Sequence, residues 1–245
     1  MRNGKEHKQK TKLDTIETPI DCRIQSRINR FVVKVTMGDK PEKVHINNTG
    51  RLTDLLQRGR RGFCNPIKNP EKLKYRLFAV EEEGGLGAII DTRLQMKAFE
   101  SAVNLDRIPW LKAWKMVKRN PKLGDSLLDY LFKGDSNLLY MEVKSAVMRE
   151  NGFAMYPDCP SSRGQRHIRE LIDHVQKGKQ GSILFIAALP NVYAFKPYKK
   201  GDPKIYTLLQ KAQKRGVLIK ALRMYYHPER ATIYLTDPDL DVELA

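Results

Sequence analysis

Apolar residues are spaced differently in the two halves of this chain, and the change falls near residue 105. Before that point, short apolar runs are separated by glycine, proline and asparagine, which predicts strands at 30–37, 43–46, 75–83 and 87–91. Several short strands with one small helix among them are typical of a compact β-barrel. The first half of the chain is therefore predicted to be a barrel.

Strand-like runs alternate with helix-like repeats in the second half. Residues 162–175 repeat apolar side chains at helical spacing, and Asp202-Pro203 opens a second helix. Between the two helices, the nearly continuous apolar run 182–189 is typical of a central strand that is covered on both faces. The predicted fold class is α+β, with an N-terminal β-barrel and a C-terminal mixed-sheet α/β domain.

Three charged residues lie on a predicted hairpin within this second half. Two apolar runs flank the turn-forming segment 133–137, so both are predicted to be strands. Side chains alternate along a strand, so Glu142 and Lys144 share one face, and antiparallel pairing can bring Asp129 beside Glu142. Two carboxylates and a lysine are therefore expected to converge.

This convergence predicts a metal-dependent site. Paired carboxylates supply the oxygen ligands that Mg²⁺ or Mn²⁺ prefers, and a nearby lysine can orient a water or neutralise a phosphate. We predict Asp129 and Glu142 as metal ligands, and both with Lys144 as catalytic residues for phosphodiester cleavage. The alternative is a solvated strand edge, because charged residues make up 30% of the chain.

The charge balance favours a polyanionic partner. The chain has 45 Lys+Arg against 28 Asp+Glu, a formal net charge of +17. Nucleic acid is the predicted partner because phosphate contacts release condensed counterions, and phosphate charge alone does not separate RNA from DNA. No apolar stretch reaches membrane-spanning length, and the polar N-terminus is unlike a signal peptide. No membrane contact and a cytoplasmic location are therefore expected.

Two segments of the predicted barrel are candidates for nucleic-acid contacts. The motif at 47–51, Asn-Asn-Thr-Gly-Arg, supplies polar groups, a permissive glycine and an arginine suited to gripping a phosphate. Its alternative interpretation is an Asx-type turn. The second segment is the arginine cluster at 58–61, which consists of Arg58, Arg60 and Arg61. Its alternative interpretation is a solvated face. The predicted contacts from both segments are Asn48, Thr49, Arg51, Arg58, Arg60 and Arg61.

A third candidate surface lies at the start of the predicted helix 162–175. Free backbone N–H groups and the positive end of the helix dipole favour a phosphate there. The polar residues of this first turn are predicted to contact nucleic acid: Arg163, Gln165, Arg166 and His167.

Three motifs together resemble the sugar fermentation stimulation protein A family, in order and at familiar separations. They are HINNTGRL at 45–52, MEVKS at 141–145, and YPD at 156–158 followed by RGQRHIREL at 163–171. The resemblance implies an oligonucleotide-binding (OB) barrel joined to a restriction-endonuclease-like domain of the PD-(D/E)xK type, in DNA-binding proteins linked by name to sugar metabolism. On that pattern, Asp129, Glu142 and Lys144 match the nuclease core.

The chain departs from the family pattern at three positions. Asn120 and Ser162 stand where a glutamate is expected, and Leu127 stands where an arginine is expected. With fewer carboxylates, a one-metal site or a binding-only domain that keeps the nuclease fold as a scaffold becomes an alternative, unless Asp158 or Gln165 compensates.

The predicted organisation has three parts: a mobile basic tail at 1–17, the OB-like barrel at 18–92 and the nuclease-like domain at 93–245. The sequence leaves the oligomeric state open, with a homodimer among the alternatives.

Overall fold

The computed structural model describes residues 10–244. The described helices are α1 (Thr92–Asn104), α2 (Ser162–Gln176) and α3 (Pro203–Lys214). The strands up to α1 are β1 (Thr11–Thr15), β2 (Ile20–Arg27), β3 (Val32–Met37), β4 (Lys40–His45), β5 (Arg61–Pro66), β6 (Tyr75–Glu81) and β7 (Gly87–Ile89). Those after α1 are β8 (Lys115–Arg119), β9 (Lys122–Leu123), β10 (Ser126–Leu127), β11 (Tyr130–Lys133), β12 (Leu138–Ser145), β13 (Met148–Glu150), β14 (Phe153–Tyr156), β15 (Gln180–Ala187), β16 (Ala194–Pro197), β17 (Leu218–His227) and β18 (Thr232–Val242).

Five strands close the predicted barrel, in the order β2-β3-β4-β6-β5 and back to β2. All of these neighbours are antiparallel except β4 and β6, which meet in parallel at His45 and Arg76. Alternate side chains such as Val33, Val35 and Val44 are fully buried, so the strands turn one apolar face inward. The predicted OB-like barrel is confirmed.

The C-terminal domain is built on a mixed sheet in the order β8-β11-β12-β15-β17-β18. Its centre is parallel, because β15 pairs in parallel with both β12 and β17. The apolar run of β15 is completely buried, and α2 packs against both this strand and α3. The predicted mixed sheet with helices is confirmed, and α2 begins at the predicted residue.

The predicted tail is wrong where the structure describes it. Residues 11–15 form β1, which pairs antiparallel with β18, and Ile16 donates its N–H to the carbonyl of Ala231. Ile16 is buried, so apolar contact adds to the ladder. The polar composition of this segment does not predict a strand, because the strand depends on a partner that lies more than 200 residues later in the sequence. The rest of the predicted tail, at 1–9, lies outside the described residues.

The two domains share backbone contacts. Gly87 of β7 pairs with Tyr226 of β17, and the N–H of Ile89 donates to the carbonyl of Ala188. The barrel sheet therefore continues into the C-terminal sheet. Among the helices within residues 10–244, none is long and apolar enough to cross a membrane.

Candidate active site

The structure brings Asp129 beside the strand that carries Glu142. Asp129 precedes β11, and its N–H donates to the carbonyl of Met141 at 3.2 Å. Its side-chain Oδ2 accepts the N–H of Val143 at 2.7 Å. The carboxylate is therefore held across the middle of β12, as antiparallel pairing predicts.

Glu142 and Lys144 lie on the same face of β12 and contact each other. Lys144 Nζ is 2.5 Å from Glu142 Oε1, and the glutamate side chain is almost completely buried. His167 of α2 approaches the same oxygen, with Nδ1 at 2.7 Å. Two donors therefore converge on Oε1 of one buried carboxylate.

The ring orientation of His167 is set from its other side. Arg163, one helical turn earlier, donates from Nε to His167 Nε2 at 3.3 Å. Arginine cannot accept a hydrogen bond, so Nε2 must present its lone pair and a neutral ring carries its proton on Nδ1, facing Glu142. His167 was predicted to contact nucleic acid, yet it is 1% exposed and connects Arg163 to Glu142 instead.

Burial and charge shift the pKa values of this cluster in different directions. Burial, with the negative charge of Glu142, raises the pKa of Asp129 to about 6. Burial also disfavours the charged form of Glu142, but Lys144 and His167 outweigh it and hold the pKa of Glu142 below its ordinary value. For Lys144, the attraction of Glu142 outweighs burial and raises the pKa. Lys144 therefore stays a cation at neutral pH.

One oxygen of this cluster has no hydrogen-bond partner among the described residues. Glu142 Oε2 is buried and accepts no hydrogen bond from residues 10–244, while Oε1 faces both Lys144 and His167. A buried carboxylate oxygen without a donor is costly unless a cation satisfies it. Two carboxylates fit a Mg²⁺ ion that fills its remaining positions with water and substrate oxygens. Within residues 10–244, no group of three or more His, Cys, Asp or Glu side chains is placed to hold a metal.

The three departures from the family pattern surround this cluster without adding a carboxylate. Asn120 donates its N–H to the carbonyl of Asp129 at 3.0 Å, Leu127 is exposed, and Ser162 begins α2 on the surface. The two candidate compensating groups are occupied elsewhere. Asp158 accepts the N–H of Leu52, and Gln165 donates to Asp202.

The other polar residues of the first turn of α2 also have partners. Gln165 Nε2 is 2.9 Å from Asp202 Oδ2, and Asp202 also caps α3, so this contact joins the two helices. Arg166 Nε donates to Ser126 Oγ at 3.2 Å. Arg163 and Arg166 are both exposed, and neither forms an ion pair with any described acid. Their charges are available to a phosphate.

The motif at 47–51 is first of all a junction between the domains. Asn48 Oδ1 accepts the N–H of Gly50, which is the Asx-type turn of the alternative interpretation. A side chain on Gly50 would lie within 3 Å of both carboxylate oxygens of Asp158, so a larger residue would require that carboxylate, which accepts the N–H of Leu52, to move. Thr49 and Arg51 are exposed and remain candidates for nucleic-acid contacts.

Arg27 supports this loop, and the sequence analysis missed it. Its guanidinium donates to the carbonyls of Gly50 at 2.5 Å and Arg51 at 2.6 Å, and also to those of Asn29, Arg30 and Asn48. The five donors of one arginine thus satisfy carbonyls from two loops. No local pattern signals this role, because the loop lies more than 20 residues away.

The arginine cluster of the barrel is largely neutralised. Arg61 contacts Asp21 at 2.6 Å and Glu81 at 3.2 Å, and Arg60 contacts Glu82 at 3.4 Å. Glu82 also contacts Arg149 of the C-terminal domain at 3.1 Å. Arg58 is exposed and keeps its predicted availability.

Comparison with known proteins identifies the family. A model described as the SfsA N-terminal OB domain matches residues 26–89, and one described as the sugar fermentation stimulation protein RE domain matches residues 93–230. The chain belongs to the sugar fermentation stimulation protein (SfsA) family. Both matches agree with the two-part fold, a barrel followed by a restriction-endonuclease-like mixed-sheet domain.

Individual SfsA relatives match nearly the whole chain. The sugar fermentation stimulation protein homologue of Pyrococcus furiosus is 47% identical over 223 residues, covering 91% of this chain and 96% of the relative. That of Archaeoglobus fulgidus is 44% identical over 231 residues, covering 94% and 99%. The solved structure of Pyrococcus furiosus SfsA in complex with Ca²⁺ is 46% identical, with a TM-score of 0.90 and coverage of 95% and 99%. The SfsA fold is thus common to both chains.

Proposed function

We propose that this SfsA-family protein binds DNA in the cytoplasm and hydrolyses phosphodiester bonds at Asp129, Glu142 and Lys144, in a reaction that requires Mg²⁺ or Mn²⁺. The observation that carries the proposal is the bare, buried Oε2 of Glu142, which lies on a carboxylate already held by Lys144 and His167. An oxygen in this position calls for a cation.

Asp129 and Glu142 would hold the metal. A divalent cation bound there would polarise a phosphoryl oxygen and lower the pKa of a bound water. A Ca²⁺ complex of the Pyrococcus furiosus relative supports an oxygen-ligand cation site in this family. With two carboxylates, the number of ligands favours one metal ion that is completed by water and the substrate phosphate.

Lys144 has a limited set of roles. Because Glu142 keeps it protonated, it can neutralise charge on the phosphate and donate hydrogen bonds to an attacking water. A protonated amine cannot accept the proton of that water, so Lys144 is not the general base. We assign it the positioning of the water and the stabilisation of developing negative charge.

The DNA-binding half of the proposal is supported by charge. The net charge of +17 is accompanied by exposed basic residues near the site, of which Arg163 and Arg166 lack ionic partners among the described residues. Binding through phosphates is expected to show little sequence preference and a steep salt dependence. RNA has the same phosphate chemistry and is tested in the same assay.

A nuclease assay tests the proposal directly. Purified protein is incubated with Mg²⁺ or Mn²⁺ and with single-stranded, duplex or branched DNA or with RNA, and Glu142→Gln serves as the matched control. We expect wild-type protein to cut at least one DNA substrate and the variant to cut none. The assignment fails if no DNA substrate is cut or if the variant cuts equally well.

A second candidate function is a nonenzymatic DNA-binding protein with a regulatory role in sugar metabolism. It is favoured by the small number of carboxylates, since no described group of three metal-ligating side chains surrounds the site. The names of the relatives also refer to sugar fermentation. In this case Glu142 and Lys144 form a buried ion pair that stabilises the scaffold, and wild-type protein binds DNA in the assay without cutting it.

A further inference from the structure

A cleft between the two domains adjoins the candidate active site. We define the interdomain cleft as the cavity of about 330 Å³ between Arg30, residues 48–50 and Leu52 of the barrel and, from the C-terminal domain, Ser145, Val147, Met148 and segment 155–163. Ser145, the residue after Lys144, belongs to its wall, as does Tyr156.

One part of the cleft wall is suited to an anion. Arg30 from the barrel and Arg163 from the start of α2 both line it. Asn48 lines it as well and is only 8% exposed, and its amide nitrogen donates to none of residues 10–244. Asp158 is a carboxylate in this wall, but its Oδ2 accepts the N–H of Leu52. Two guanidinium groups and an amide donor without a partner among the described residues together favour a phosphate.

Another part of the wall is apolar. Val147 and Met155 are 6% and 7% exposed, and Met148 lies beside them. Methionine side chains are flexible and polarisable, so they fit flat aromatic faces of different shapes. An apolar part and an anion-binding part in the wall of one cleft match a nucleotide, which joins a flat base to a phosphate.

We propose that the interdomain cleft binds one unpaired nucleotide of a DNA strand, with the base against Met148 and Met155 and the phosphate near Arg30 and Arg163. The proposal rests on the DNA-binding half of the proposed function. The cavity volume is at the lower end of ligand pockets, which begin near roughly 300 Å³. A base can enter such a space only after it leaves the duplex stack, so the substrate must be single-stranded or contain an unpaired nucleotide beside the scissile bond.

A second cavity continues the path of the strand. It has a volume of about 360 Å³ and shares Leu52, Val147 and Met148 with the interdomain cleft. Its own wall adds two basic residues, Arg51 and Lys200, and one acidic residue, Asp54. The two cavities thus place basic groups at successive positions, as a single-stranded backbone requires. Arg51 then contacts the next phosphate of the strand.

A binding experiment in EDTA tests the proposal independently of cleavage. Fluorescence anisotropy compares the full-length protein on a labelled single-stranded oligothymidylate and on a blunt duplex of the same length. Thr49→Glu places a negative charge in the cleft, because Thr49 is exposed and lines it. Thr49→Gln is the neutral control of equal size, and Thr18→Glu puts the same charge on an exposed turn outside the cleft.

We expect Thr49→Glu to bind the single strand about tenfold more weakly than Thr49→Gln, which isolates the effect of the charge, while Thr18→Glu stays within about twofold of wild type. Wild-type protein should bind the single strand more tightly than the duplex. The proposal is overturned if Thr49→Glu and Thr18→Glu weaken binding equally, if the duplex binds more tightly, or if single-stranded RNA binds more than about tenfold more tightly than DNA.

Photocrosslinking locates the base without any substitution. A single strand that contains 4-thiothymidine is irradiated on wild-type protein in EDTA, and crosslinked peptides are identified by mass spectrometry. We expect crosslinks within the segment 147–156. Crosslinks only to the barrel surface would overturn the proposal. A protein that passes both tests but cuts no substrate refutes the nuclease assignment and leaves the nucleotide site intact.

Discussion

The barrel and the helix α2 each present a cluster of arginines that the sequence marks as a phosphate-binding surface, but the structure treats the two clusters differently. In the barrel, Arg60 and Arg61 are paired with carboxylates. On α2, Arg163 and Arg166 donate to an imidazole nitrogen and a hydroxyl, and neither forms an ion pair with a described acid. Positive charge without an ionic partner among residues 10–244 therefore lies beside the candidate active site.

The difference comes from contacts that are distant in sequence. Strand pairing brings Asp21 of β2 and Glu81 of β6 to either side of Arg61 on β5, although 40 and 20 residues separate them. A charge count over a short window cannot detect such partners. A cluster of arginines indicates a phosphate site only when the rest of the fold leaves it unpaired.

The largest expected effect is the loss of cleavage when a carboxylate is removed from the candidate active site and not from the barrel cluster. Glu142→Gln keeps the size of the side chain but removes the charge that holds a metal, so cleavage should fall by at least about 100-fold while DNA binding is retained. Glu81→Gln is the matched control, since it removes a carboxylate from the barrel cluster. Cleavage rates and anisotropy for both variants measure the contrast, and equal losses of cleavage would contradict it.

Removal of the imidazole tests whether α2 positions the metal site. His167→Ala should weaken the binding of Mn²⁺ by about 10-fold to 100-fold, because the group that orients a metal ligand is lost. His167→Asn retains a side-chain N–H donor and should recover part of the affinity. Isothermal titration with Mn²⁺ gives the dissociation constants. A purely structural role would lower the melting temperature and leave the metal affinity of the folded variant unchanged.

The raised pKa of Asp129 predicts a pH dependence of stability. Its pKa is about 6 in the folded protein and about 3.9 when unfolded, so the folded state holds this proton more tightly. Its contribution to the free energy of unfolding should therefore fall, by up to about 3 kcal/mol, as pH rises from 4 to 6, and stay level above 6. Urea unfolding in EDTA measures it, with Asp129→Asn as the control that removes this titration. Equal pH profiles for the two proteins would rule it out.

The smallest expected effects are the changes in DNA affinity when arginines are replaced in each of the two clusters. Arg163→Gln with Arg166→Gln should weaken duplex binding and reduce the slope of log K against log salt by about 0.9 for each lost phosphate contact. Arg60→Gln with Arg61→Gln should change affinity by less than about twofold and lower the free energy of unfolding by about 1 kcal/mol. Salt titrations and melts of both double variants test this. A larger affinity loss in the barrel variant would reverse the comparison.

Regular patterns in the sequence predict much of the fold. The buried run of β15, the helical repeat of α2 and the alternation on β12 each depend on neighbours within a few residues, and each agrees with the structure. The polar strand β1 has no apolar pattern that predicts a strand, because its conformation depends on pairing with β18. Local periodicity therefore predicts helices and strands that bury one face, and it does not predict a polar strand that pairs at the edge of a sheet.

The candidate site divides in the same way. The alternation of β12 places Glu142 and Lys144 together, and the hairpin adds Asp129. The approach of His167 to Glu142 depends on how α2 lies over the sheet, which no spacing within the helix reveals. The motif at 47–51 is predicted to grip a phosphate, with an Asx turn as the alternative. The turn forms, Arg27 ties the loop to the barrel, and Asp158 connects it to the C-terminal domain.

The pairing of β1 with β18 also determines the order in which the two domains can fold during synthesis. Within the described residues, the chain first joins the C-terminal sheet through β1, leaves it to build the whole barrel, and returns at β7 and α1. The barrel is thus an insertion within a discontinuous domain, joined to it by two covalent links. During synthesis, the barrel can fold as soon as it emerges, whereas the first strand must wait for the last one. A fragment cut at residue 93 would lack β1 and leave the edge of β18 open to pairing with other chains.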